Sequence, residues 1–120
     1  MTHKESPFAC DMTAIAPDQR SAHVATIQKL FHSVRSMREL PDGYAFELPN
    51  ESDVLATLTQ FVDLERLCCP FFGFTIEVER EGGPIIFSLT GREGVKPFII
   101  AEIGEHLPRQ INSAEAEESA

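Results

Sequence analysis

The chain's 120 residues, 42% of them apolar, are enough for one domain, which at this size buries roughly two-thirds of the surface its unfolded chain would expose. A net charge of −9 with ten scattered Lys and Arg excludes non-specific binding to nucleic acid, which needs clustered positive charge against the phosphates. No apolar run approaches the ~20 residues of a membrane span, and no basic segment leads into an apolar one at the N-terminus, so the expectation is a soluble, cytoplasmic protein with no membrane partner.

Residues 1–16 carry Pro7 and little periodicity and read as an arm, with Phe8, Met12 and Ile15 able to lie along a core. From Pro17 the pattern turns helical. Pro17 suits a first turn, Asp18 brings negative charge to it, and Val24, Ile27, Leu30 and Phe31 follow at helical spacing. Residues 33–40 alternate imperfectly, with Val34, Met37 and Leu40 broken by Arg35 and Arg38. Pro41-Asp42-Gly43 is a turn signal, because Pro presets φ and Gly accepts positive φ. Tyr44, Phe46 and Leu48 then alternate with Ala45 and Glu47. The two runs form a hairpin.

Asn50 or Ser52 is placed to cap a helix over 52–69, whose apolar positions are Val54, Leu55, Leu58, Phe61, Val62 and Leu67. Pro70 ends it, since proline disfavours helical conformation in the residue before it. Residues 72–80 alternate as a strand, with Phe72, Phe74, Ile76 and Val78 on one side. Glu81-Gly82-Gly83-Pro84 turns the chain, and residues 85–90 pair back through Ile85, Phe87 and Leu89. Thr90-Gly91-Arg92-Glu93-Gly94 lacks the glycine pattern of a phosphate loop and reads as a turn. Residues 95–107 read as a last helix, and 108–120 as a solvated, disordered acidic tail.

Strand–strand–helix occurs twice. The expected fold is therefore α+β: a four-stranded, mainly antiparallel sheet from two ββα units, helices on one face, an extra N-terminal helix, and a permuted ferredoxin-like chain order. The domain spans 17–107.

The stretch from Glu65 to Phe74 holds two of the three cysteines, side by side. Vicinal cysteines close a strained ring and seldom pair with each other. An odd number of thiols fits a reducing compartment better than a secreted disulfide framework. Leu58, Phe61, Glu65, Cys68 and Cys69 fall three or four apart on one helix face, so Glu65 lies on or beside the apolar stripe. A carboxylate there needs a partner. The bland reading is a marginal position with an ion pair to Arg66, Arg80 or Arg92. Cys68 and Cys69, about 100° apart on a helix, cannot both point inward, so one packs in the core and the other faces the helix end.

The helix C-terminus disfavours a thiolate, which speaks against a cysteine nucleophile. No base is evident, though a His near either thiol would supply one. A soft metal ion provides the missing positive charge, and thiolates select Zn, Cu(I) and similar ions such as Hg. Cys10, in its apolar arm, is placed to complete a three-thiol site with Glu65 as a ligand or base. Against this stands the ordinary burial of free cysteine as a small hydrophobe. Cys69-Pro70 also matches the short Cys-Pro element of haem-responsive proteins, but one dipeptide without a pocket defines no ligand set. His3, His23, His32 and His106 are dispersed and read as surface residues.

Glu65-Arg66-Leu67-Cys68-Cys69-Pro70-Phe71-Phe72-Gly73-Phe74, with the stretches 38–46 and 89–94, resembles a family of small, uncharacterised bacterial proteins with a Glu-Arg-x-Cys-Cys-Pro-Phe-x-x-Phe motif. The resemblance covers residues 10–104. It implies an association with heavy-metal-responsive operons and hence metal handling, with Cys10, Glu65, Cys68 and Cys69 as the residues of interest and no activity to carry over. Members have Pro where this chain has Arg92, so the resemblance gives that turn no role.

Two functions follow. One is a cytoplasmic protein that binds a soft metal ion or small thiophilic ligand through its cysteines, rather than an enzyme. The alternative is a metal-free interaction module or homodimer with structural cysteines, the aromatic run 71–74 packing a core or an interface.

Overall fold

A computed structural model describes residues 7–109 and 111. Helix α1 (Pro17–His32) is followed by strands β1 (Ser36–Leu40) and β2 (Gly43–Leu48), helix α2 (Ser52–Cys68), strands β3 (Gly73–Val78) and β4 (Ile85–Thr90), and helix α3 (Val95–Ile103). The strands form one antiparallel sheet in the order β1-β2-β4-β3. This is the order a ferredoxin-like sheet takes when its chain is permuted, and the expected α+β architecture is the observed one.

Period-two alternation decides which side of the sheet is roofed. Tyr44, Phe46 and Leu48 of β2 and Ile85, Phe87 and Leu89 of β4 are all buried. The register aligns Met37, Phe46, Phe87 and Ile76 as one row across four strands. Phe31 of α1 and Phe61 of α2 meet that row edge-on, at 5.4 Å from Phe46 and 5.8 Å from Phe87 between ring centroids. Each such phenylalanine contributes roughly 1.5–3 kcal/mol by leaving water, so this aromatic knot is the centre of the core. The opposite face carries Arg38, Glu47, Thr75, Glu77 and Ser88 and is open.

The two hairpins turn differently from the expectation at one point. Gly43 has no positive φ; the positive-φ residues are Glu81, Gly82 and Gly94. Gly43 is needed because a Cβ there would overlap the Leu89 carbonyl of the neighbouring strand. Gly43→Ala is expected to cost about 1–3 kcal/mol in chemical denaturation, as overpacking does; an unchanged midpoint would show that the strands can part.

Helix α2 matches its pattern with two corrections. Its cap is Glu51, whose side chain makes no capping bond, and Asn50 instead donates to the Gly83 carbonyl at 2.6 Å, tying the β3–β4 turn to the start of the helix. Leu67 is exposed and Leu64 buried, because the helix's inner face runs through Phe61, Leu64, Glu65 and Cys68. Helix α3 stops at Ile103, where a 3-10 turn (Gly104–His106) replaces the rest of the expected helix. Strand β3 is an edge strand whose Ile76 and Val78 point to the roofed side yet stay exposed, Val78 by 51%.

Among the described residues, the arm is anchored through Phe8, Met12 and Ile15. Arg20 donates from Nε to the carbonyls of Met12 and Ile15 at 2.9 and 3.0 Å, and Ile15 is buried. Phe8 packs on Phe71 and Phe98, under the Arg92 guanidinium. His3 and, of the expected tail over 108–120, residues 110 and 112–120 lie outside the described residues, while Ile111 packs against the core rather than standing free in solvent.

Candidate thiol and carboxylate site

The site forms where α2 ends. Pro70 stops the helix, Cys68 is its last residue, and Cys69 leaves helical geometry (φ −129°, ψ 68°) with its N–H still donating to the Glu65 carbonyl at 2.8 Å. That break in helical geometry is why both neighbours are buried, against the expectation that only one could point inward: Cys68 and Cys69 are 1% and 0% exposed. The arm crosses directly above. Asp11 N–H donates to the Cys68 carbonyl at 2.8 Å, which lays Cys10 against Cys69.

Cys10 and Cys69 are joined as a disulfide, their Cα atoms 4.8 Å apart. The expectation of three free thiols is corrected here: only Cys68 is free. Its Sγ lies 3.7 Å from Cys69 Sγ and 3.5 Å from Glu65 Oε1. One potential ligand atom from each of Cys10, Glu65, Cys68 and Cys69 falls within a sphere of contacts no longer than 4.8 Å. All four residues singled out from sequence are thus brought together.

Glu65 is buried, and its partner is none of the three arginines weighed for it. His23 of α1 meets it, Nε2 to Oε1, at 2.9 Å. His23 Nδ1 has no hydrogen-bond partner among the described residues. The ring stacks on Phe61 at 5.8 Å between centroids and is fully buried, so the reading of His23 as a surface residue is also corrected. The signal was present in the sequence. His23 sits four residues before Ile27 and seven before Leu30, on the inner stripe of α1. Arg66 pairs instead with Asp63 on the surface.

Comparison with family models, curated proteins and solved structures finds no match. The chemistry of the site therefore rests on its own geometry.

Burial, and then the charge of Glu65 beside it, push the Cys68 thiol up from 9.0 to about 12. Cys68 is a thiol and not a nucleophile at neutral pH. The sign of the consequence is fixed. In the unfolded chain the thiol loses its proton from about pH 9 upward, while in the folded protein it keeps it, so the contribution of Cys68 to stability is level below pH 9 and falls between pH 9 and about 12. Urea unfolding across that range should show the fall, and Cys68→Ala should flatten it; an equal slope in the variant would assign the effect to other groups.

A cavity of about 550 Å³ opens on the site between the arm, α1 and α3. Cys10, Cys68 and Glu65 form one wall, and Met12, Val24, Ile27, Phe98 and Ile103 line much of the rest, with Glu102, Glu105 and His106 also on its surface. A polar depression on the open sheet face, lined by Arg38, Glu47, Glu77 and Glu79 among others, holds no thiol. No helix among the described residues is long and apolar enough to cross a membrane.

Proposed function

We propose that the chain, once its Cys10–Cys69 disulfide is reduced, binds a soft metal ion or thiophilic compound through Cys10, Cys68 and Cys69, with Glu65 as fourth ligand or acceptor of a thiol proton. The supporting observation is the convergence of these four ligand atoms within 4.8 Å in a buried site. Two sulfurs bound at ~2.3 Å to one tetrahedral Zn ion stand ~3.8 Å apart, and the Cys68–Cys69 sulfur separation of 3.7 Å fits. A soft cation would also offset the burial and the Glu65 charge that hold Cys68 as a thiol, since metal binding displaces the thiol proton. His23 orients Glu65 from behind, as outer partners of metal ligands do. Zn, Cu(I) and Hg are the ions this donor set selects.

The disulfide makes the reading redox-dependent. A reducing compartment such as the cytoplasm keeps the three thiols open, and oxidation removes two of them. Metal handling is also what the resemblance to proteins of heavy-metal operons implies. The interaction reading has one observation in its favour, the exposed Ile76 and Val78 on edge strand β3. The aromatic run does not add to it: Phe72 is buried and Phe71 and Phe74 pack against the core.

The test is metal uptake measured by mass spectrometry on protein prepared without chelator, oxidised and phosphine-reduced. One equivalent of metal in the reduced form alone, lost in Cys68→Ser and in Cys69→Ser, is expected. Reduced protein with three titratable thiols and no uptake of Zn, Cu(I) or Hg would overturn the reading.

A further inference from the structure

The wall of the cavity and the remainder of its lining are chemically unlike, and a bare ion uses only the wall. Cys10 and Cys68 border the cavity, whereas Cys69 does not. A ligand that enters by this route therefore meets two thiols, and beyond them the apolar side chains of Met12, Val24, Ile27, Phe98 and Ile103. A volume of about 550 Å³ is within the range of small-molecule sites, which are mostly apolar with a few fixed polar groups. A naked cation needs none of that apolar surface, and an apolar molecule without a thiophilic atom has no use for the thiols. The ligand that uses both carries a soft electrophilic atom and one apolar organic group.

We propose that the site's ligand class is an organo-substituted thiophile, such as a mono-organyl trivalent arsenical, with its soft atom bridging Cys10 and Cys68 and its organic group in the cavity beside Val24, Ile27 and Phe98. This rests on the function proposed above and names the ligand class for the same site. Loading is a substitution. The two S–H bonds and the two As–OH bonds break, two As–S bonds form, and the protons leave with the hydroxyl groups as two molecules of water. Arsenic keeps its oxidation state. The disulfide is first opened by a phosphine or by a dithiol reductant, which is itself oxidised.

Whether the organic group uses the cavity is read by comparing two probes with the same two-thiol chemistry and organic groups of different size, phenylarsine oxide and monomethylarsonous acid. Isothermal titration of the phosphine-reduced protein, with stoichiometry checked by intact mass, gives both affinities. The phenyl compound is expected to bind at least about tenfold tighter, because its ring leaves water in the cavity. Val24→Asp, at an exposed position, and Ile27→Asp place a charge in that lining and should abolish the preference, lowering the phenyl compound's affinity more than the methyl compound's. Val24→Asp keeps the test sound should Ile27→Asp not fold. Equal affinity of the two probes, or a preference that survives both variants, overturns the inference and leaves the thiol site standing. Failure of both probes to bind reduced protein that still takes up Zn or Hg overturns the inference alone; failure of the probes and of Zn, Cu(I) and Hg alike overturns the proposed function as well.

Discussion

His23→Ala is expected to lower stability by about 3–5 kcal/mol, because it leaves Glu65 buried without its partner. The pair joins α1 to α2 at 2.9 Å, with His23 fully buried and the Glu65 side chain 8% exposed at the cavity wall. Removing one member strands the other, and the deserted carboxyl group bears its full desolvation cost. Removing both avoids that cost: His23→Leu with Glu65→Leu should recover most of the loss, since two well-packed apolar side chains often match a buried polar pair. Urea unfolding of the oxidised protein measures all three variants. A loss below about 1 kcal/mol in His23→Ala, the size of an exposed ion pair, would mean that water reaches Glu65. The pair would then have no value as an orienting contact for the thiol site.

Breaking the disulfide is the second large effect. Cys10 and Cys69 are 59 residues apart, and cross-linking a loop of that length removes chain entropy from the unfolded state equivalent to about 4 kcal/mol. Cys10→Ala, or reduction by a phosphine, should lower the urea midpoint by that order while the folded arm keeps its place. Added Zn or Hg should then restore part of the loss in the reduced wild type, because a ligand that binds only the folded state stabilises it by mass action. Cys10→Ala should regain less, having lost one thiol. A reduced protein as stable as the oxidised one would show that the arm's other contacts already restrict the unfolded ensemble.

Most of the fold was legible because its elements follow local rules. The alternation of Tyr44, Phe46 and Leu48, and of Ile85, Phe87 and Leu89, located the roofed face of the sheet. Pro70 located the end of α2. Three of the four residues of the site were legible for a related reason: a carboxylate on an apolar stripe, followed by two cysteines at a forced helix end, is a local anomaly, whereas Cys10 stood out only as the third cysteine, in an apolar arm. What was hidden is tertiary. The Cys69 side chain turns inward only because the chain leaves helical geometry at that residue, which helical spacing does not express. The pairing of Cys10 with Cys69 depends on the Asp11–Cys68 backbone bond, a contact between segments far apart in sequence. His23 lay on the inner stripe of α1, but a histidine on an apolar face reveals its partner only when the second helix is packed against it. Gly43 was assigned to the turn for its φ, whereas its role is set by the approach of β4.

The arm is held by contacts that owe nothing to sulfur: the Arg20 clamp, the bond from Asp11 to the helix end, and Phe8 among Phe71, Phe98 and Arg92. Reduction therefore opens a bond without releasing a strand. Cys10 becomes a tethered donor whose effective concentration beside Cys68 and Cys69 is at least that of a short linker, in the millimolar range. On the proposed function, a ligand that lets go of one sulfur would be recaptured before it lets go of the next, so the site would behave as a chelate whose release rate is set by how often the arm itself lifts.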